Sequence, residues 1–185
     1  MADIRTFIAF ELPGVVAQRV TDVIHRLSFL GDKVRWVKAD NVHLTLCFLG
    51  DISPELVPEI VTIVQNVTHE MAPLTLCVAG LGGFSDLKNA RVIWLGVQGD
   101  VDRLRHLHEL LEARLTPFGL EPDRRKYFPH ITLGRARRNA VDVDVARVGP
   151  VQPIHFRVDR LTVLKSELRP EGTVYKPLGY GLLKK

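Results

Sequence analysis

The sequence predicts a mixed α+β fold of antiparallel sheets in two matching halves, on three observations. Short β-rich runs alternate with helix-periodic stretches, a strand–helix–strand order occurs twice, and one constant shift relates the two occurrences. His130 follows His43 by 87 positions (130 − 43), and the same shift carries Val20, Val23 and Ile24 onto Leu107, Leu110 and Leu111 and Ile8 onto Leu95. It also carries residues 42–46 (Val-His-Leu-Thr-Leu) onto 129–133 (Pro-His-Ile-Thr-Leu). Duplicated units of this kind pack about a pseudo-two-fold axis, which sets the two His-bearing strands face to face across a central cleft.

Each element has its own local reason. Residues 4–10 form a short β-rich run, and Pro13 opens a stretch whose apolar residues Val16, Val20, Val23, Ile24 and Leu27 follow a helical period, with Gly31 placed as a helix-terminating glycine. Residues 34–37 lead through a polar turn at 38–41 into a strand at 42–49. Ser53-Pro54 is a cap followed by a first-turn proline, and Val57, Ile60, Val61 and Val64 supply the buried stripe of the next helix. Residues 74–78 return to β character, and Gly-rich 80–83 reads as a turn. The second half follows with a β run at 92–97, a helix over 101–115, the second motif strand, and a short polar stretch at 139–148. Two further β runs, 154–164 and 173–183, flank a turn at 169–172. The expected organisation is a single domain over residues 1–185 with two sheets and helices on their outer faces.

With 185 residues, 46% of them hydrophobic, the chain can bury a substantial core. Twenty-five Lys and Arg against twenty-one Asp and Glu leave a net charge of +4, compatible with a polyanionic partner. Cys47 and Cys77 sit inside apolar runs, where a thiol behaves as a small core hydrophobe, and two such residues make neither a disulfide framework nor a zinc site. No apolar run approaches the roughly 18 residues of a membrane span, so a cytoplasmic protein without membrane contact is expected.

In a strand, alternate side chains share a face, so His43 and Thr45 face one way and Leu44 and Leu46 the other; His130 and Thr132, with Ile131 and Leu133, repeat the division. Each strand thus offers an imidazole and a hydroxyl over an apolar anchor. Displacement at phosphorus needs a proton taken from the attacking oxygen and one given to the leaving oxygen on the opposite side. Two histidines with ordinary pKa values of about 6.5 can divide that work, one neutral and one charged. The threonine hydroxyls can hydrogen-bond the non-bridging oxygens. Around the second motif, residues 124–138 hold six basic residues and no acidic one, interleaved with Tyr127 and Phe128, a composition suited to phosphate contact and base stacking on a single strand.

The paired tetrads His43-Leu44-Thr45-Leu46 and His130-Ile131-Thr132-Leu133 resemble the signature of the 2H phosphoesterase superfamily. Within it, Phe7-Ile8-Ala9-Phe10-Glu11-Leu12-Pro13, Phe48-Leu49-Gly50 and Pro129-His130 resemble the bacterial and archaeal RNA 2′,3′-cyclic phosphodiesterases, also called 2′-5′ RNA ligases. The resemblance spans nearly the whole chain. It implies a bilobal fold and metal-independent hydrolysis of RNA 2′,3′-cyclic phosphate ends to 2′-phosphomonoesters, with 2′-5′ RNA ligation as the same chemistry reversed. It further implies His43 as proton donor and His130 as proton acceptor, Thr45, Thr132 and Arg135 as phosphate contacts, and Phe48 as a base-stacking platform. Cofactors are expected to be none. The expected partner is RNA with a cyclic phosphate end, tRNA fragments and nucleotides included, acted on by a monomer. Phe48 and Arg135 stand an odd number of steps from their histidines, so reaching the same face takes a bulge or a strand end, which Gly134 is placed to supply.

Simpler readings stand beside these. Phe48 is equally a core aromatic, the threonines are also good strand formers, and Arg124, Arg137 and Arg138 fit a solvated face. His106 and His108, two apart on a helix, point to different faces and do not share a metal. A nucleotide- or RNA-binding module without turnover is the alternative function; a metal-dependent phosphohydrolase is disfavoured because no carboxylate accompanies either histidine motif.

Overall fold

The computed structural model describes residues 2–120, 126–170 and 172–184. In chain order the strands are β1 (Ile4–Glu11), β2 (Val34–Trp36), β3 (His43–Ile52), β4 (Leu74–Phe84), β5 (Val92–Gly99), β6 (His130–Ala136), β7 (Ile154–Val158), β8 (Arg160–Arg169) and β9 (Gly172–Leu182). The helices are α1 (Gly14–Arg26), α2 (Val57–His69), α3 (Val101–Leu115) and the single turn α4 (Val145–Val148). Two sheets result, one of four strands in the order β3-β1-β8-β9 and one of five in the order β2-β6-β5-β4-β7, and every pairing is antiparallel.

The duplication is visible, with a twist in its connectivity. β3 and β1 occupy in one sheet the places that β6 and β5 occupy in the other, but β4, from the first half of the chain, pairs with β5, while β8, from the second half, pairs with β1. Each half therefore lends two strands to the other's sheet, β2 and β4 in one direction and β8 and β9 in the other. The 87-residue spacing belongs to the motif strands. Ile8 lies opposite Cys47 and Ile93 lies opposite Gly134, so the counterpart of Ile8 is Ile93, 85 positions on (93 − 8), and not Leu95. The buried residues Val16, Val20, Val23 and Leu27 of α1 and its end correspond in spacing to Leu104, His108, Leu111 and Leu115 of α3, 88 positions on (104 − 16). A helix can slip by a residue against its sheet as long as its apolar period is kept.

Two expectations are corrected. Residues 80–83 are not a turn: they continue β4, where the register shift between Ala79 and Leu81 makes Gly80 a bulge at φ +77, a conformation that favours glycine. The run 154–164 is two strands parted at Asp159, because the chain crosses there from the five-stranded sheet to the four-stranded one.

One face of each sheet is closed by the core. α2 buries Ile60, Ile63, Val64 and Val67, and rests on β8 and β9 so closely that a Cβ at Gly179 would lie 2.5 Å from Val61 Cγ2 and one at Gly181 2.3 Å from Thr68 Oγ1. α3 packs beside α2 and on β3, and α1 meets α4, where Arg26 donates to the carbonyls of Val148 and Pro150. Leu44, Leu46, Ile131 and Leu133 are buried as expected, and so are both free cysteines. Among the described residues no helix is long and apolar enough to cross a membrane.

β2 is held at the edge of its sheet by close packing at Gly134, where a Cβ would lie 2.6 Å from Val34 Cγ1 and 2.7 Å from Trp36 Cε3. Gly134→Ala should therefore cost about 1–3 kcal/mol of stability through overpacking. Urea unfolding measures it, and an unchanged midpoint would show that β2 yields without cost.

Candidate active site

The motif strands solve a parity problem in the same way. On β3 the partners of β1 pass from Thr45 to Cys47, and on β6 the partners of β5 pass from Thr132 to Gly134, so Leu46 and Leu133 are each the extra residue of a bulge. The bulge returns the next side chain to the face of the histidine. His43, Thr45 and Phe48 thus share one face of β3, and His130, Thr132 and Arg135 share the matching face of β6. Phe48 is 64% exposed, which removes the reading of it as a core aromatic, and Arg135 is exposed as well.

Both imidazoles are half-buried and fixed alike. His43 Nδ1–H donates to the Asn41 carbonyl at 2.7 Å, and His130 Nδ1–H donates to the Phe128 carbonyl at 2.8 Å. A carbonyl only accepts, so Nδ1 carries the hydrogen in both rings and Nε2 is left as the atom that takes or gives a proton. Aromatic rings hold the imidazoles in place. Phe7 lies 5.0 Å from His43 and Tyr175 meets it edge-on at 5.2 Å, while Phe84 meets His130 edge-on at 5.0 Å and Trp94 and Phe128 stand 6.3 Å away.

Electrostatics links the two rings. Burial, opposed by the carbonyl hydrogen bond, lowers the pKa of both histidines below the ordinary imidazole value, and the Arg135 guanidinium lowers both further. His43 is also lowered by His130, as expected of two titrating groups that share a cleft.

A cavity of about 670 Å³ opens beside them, lined among others by Thr45, Phe48, Phe84, Phe128, His130 and Arg135. His43 and Thr132 are not in its lining; His43 borders it through its strand neighbour Thr45, and Thr132 lies opposite Trp94 on β5. Of the basic run, Lys126 lines the cavity, Arg137 and Arg138 are exposed, and Arg124 and Arg125 lie outside the described residues. Among the described residues no cluster of His, Cys, Asp or Glu could hold a metal ion.

The sequence reading missed several residues that position this site. The Asn41 side chain donates to the Thr173 carbonyl at 2.7 Å while its own carbonyl holds His43, tying the β8–β9 hairpin to the first motif. The Tyr127 hydroxyl donates to the Thr45 carbonyl at 3.0 Å, joining the approach to the second motif with the strand of the first. Tyr127 stacks at 4.3 Å on His108, whose Nε2 meets Glu112 at 3.3 Å and whose Nδ1 meets Cys47 Sγ at 3.6 Å. Burial and the Glu112 carboxylate push the Cys47 thiol up to about 12, so it serves as packing and not as a nucleophile. Asn41 and Phe128 themselves carry the 87-residue spacing (128 − 41), which was a signal in the sequence; Tyr127 was marked there for base stacking and not for these contacts, and Tyr175 had no signal, because their partners are set by tertiary contact.

Comparison with known proteins shows the family and the fold. The profile of the 2′-5′ RNA ligase superfamily matches residues 15–170. The chain is 33% identical to the RNA 2′,3′-cyclic phosphodiesterase of Thermotoga maritima, over 94% of this chain and 92% of that protein, and 30% identical to that of Escherichia coli K12, over 94% and 93%. The crystal structure of E. coli LigT complexed with 3′-AMP superposes with a TM-score of 0.81 at 28% identity over 99% of both chains, and TT0787 of Thermus thermophilus shares the fold at the same TM-score and 24% identity. With the profile covering most of its length and its two histidine strands arranged in one cleft, the chain belongs to the 2′-5′ RNA ligase superfamily.

Proposed function

We propose that this enzyme hydrolyses 2′,3′-cyclic phosphodiester ends of RNA to 2′-phosphomonoesters, with His43 and His130 as its acid–base pair. The observation that carries the reading is the matched pair of half-buried imidazoles on strands that both line the cavity, each with Nδ1 tied to a backbone carbonyl and with no partner at Nε2 among the described residues. The names of relatives that match nearly the full chain support the activity.

In this mechanism neutral His130 takes a proton at Nε2 from water as the water oxygen bonds to phosphorus. The bond from phosphorus to the 3′-oxygen breaks, and protonated His43 gives its Nε2 proton to that oxygen, leaving the phosphate on O2′. Thr45, Thr132 and Arg135 are assigned to the non-bridging oxygens, where negative charge builds, and exposed Phe48 at the cavity wall to the terminal base. With an RNA 5′-hydroxyl in place of water, the same displacement forms a 2′-5′ junction. Asn41 and Tyr127 act through other residues, as positioning groups.

His43→Ala and His130→Ala should each lower kcat on a cyclic-phosphate RNA end by about 10²-fold or more, with activity persisting in EDTA and 2′-phosphate as product. Unchanged turnover in both variants would sink the mechanism. Because both pKa values lie below 6.5, the form with one proton on the pair is most populated below that pH, so kcat/KM should peak on the acid side of 6.5. Arg135→Met removes a charge that lowers both values, so its optimum should move to higher pH alongside a loss of kcat; an optimum that stays put would count against the electrostatic account. Tyr127→Phe leaves the Thr45 carbonyl without its donor and should cost about 1 kcal/mol in urea unfolding, with a fall in kcat larger than any change in KM.

A further inference from the structure

Across β2 and β6, Arg35 stands directly opposite Arg135. Val34 and Trp36 turn to the Gly134 side, so Arg35 shares the outer face with Arg135, which is the face of His130 and Thr132. Like charges directly opposite on adjacent strands destabilise a sheet. Among the described residues neither guanidinium has a carboxylate partner. The contrast with the β8–β9 hairpin is direct: there Lys165, Arg169 and Lys176 all converge on Glu167, whose carboxyl they hold down at about 2.

Tyr175 and Arg5 complete the arrangement from the other sheet. Tyr175 sits edge-on to Phe7 at 4.9 Å and to His43 at 5.2 Å, and its hydroxyl has no hydrogen-bond partner among the described residues. Arg5 is two residues from Phe7 on the same face of β1, directly opposite Asp51 on β3; burial raises the pKa of the Tyr175 hydroxyl, and the charges of Arg135, Arg35 and Arg5 work against that rise. Arg35, Arg5 and Tyr175 are absent from the lining of the 670 Å³ cavity, whereas Arg135 belongs to both surroundings. Arg135 therefore both lines the cavity and stands opposite Arg35, which lies outside that lining.

A cyclic phosphate is a diester with one negative charge. Arg135 lines the cavity that would take this anion, whereas Arg35 lies outside the lining and has no carboxylate partner among the described residues, so one such anion does not account for Arg35. We propose that Arg35, with Arg5 and the Tyr175 hydroxyl, forms a second phosphate subsite, for the 5′-phosphate group of the terminal nucleotide, which in an RNA chain is the phosphodiester to the preceding residue. The subsite makes the enzyme selective for polynucleotide ends over cyclic mononucleotides, and rests on the hydrolase reading above.

The test compares three substrates: adenosine 2′,3′-cyclic phosphate, the same compound carrying a 5′-phosphate, and the ApA dinucleotide ending in a 2′,3′-cyclic phosphate. The native enzyme should favour the last two over the first by about tenfold in kcat/KM. In Arg35→Gln the ratio should fall toward one, and the dependence of log KM on log salt for the dinucleotide should be shallower by about 0.7, the contribution of one single-strand phosphate contact. Preference for the dinucleotide without preference for the 5′-phosphate assigns the subsite to an RNA linkage; equal preference assigns it to either source of phosphate. Titration calorimetry with adenosine 2′-phosphate and the ApA 2′-phosphate reads the same difference without turnover. A binding difference with no hydrolysis of any substrate would overturn the hydrolase reading and leave the subsite standing. Equal binding and equal turnover by the native enzyme, or a preference that survives both Arg35→Gln and Tyr175→Phe, would overturn the subsite.

Discussion

A β-strand can send only every second side chain to one face, and the motif strands of this protein are asked for more than that. Each must bury two aliphatic anchors, present an imidazole and a hydroxyl two steps apart, and then bring a further residue, Phe48 or Arg135, to the same cleft at an odd step. The extra residue at Leu46 and at Leu133 meets the demand by shifting register against β1 and β5. Without it Phe48 and Arg135 would turn into the core, where a guanidinium has no partner, and Cys47 and Gly134 would take their places in the cleft.

The same construction sets the electrostatics. Anchoring on Leu44 and Ile131 draws both imidazoles part-way out of water, and that desolvation is the leading cause of their lowered pKa values. Arg135, delivered by the bulge, adds to it. A backbone carbonyl at hydrogen-bond distance from each Nδ1 works in the opposite direction and keeps the rings oriented. The outcome is a pair of titrating groups with a defined reactive nitrogen, beside guanidinium groups that an anionic phosphate would neutralise.

Strand exchange explains why the two motifs meet at all. β4 and β8 each pair in the sheet of the opposite half, and the Tyr127–Thr45 and Asn41–Thr173 hydrogen bonds cross-link segments more than eighty residues apart in sequence. The cleft is therefore braced by both halves, and neither sheet is completed by one half of the chain alone.

The repeat was legible in the sequence because burial imposes period and spacing locally: the β runs, the helix Val101–Leu115, the anchors Leu44 and Ile131 and the His-x-Thr pairs all follow from alternation or the 3.6-residue period. Even the need for a bulge near Gly134 could be argued from parity. Other features are decided by which strand lies beside which, and that is a property of long-range pairing that no window of sequence contains. Hence the division of 154–164 between two sheets, the absorption of Gly80 into β4, the two-residue slip that matches Ile8 with Ile93, and the placing of Tyr127, Tyr175, Asn41 and Arg35 around the histidines came only with the tertiary structure.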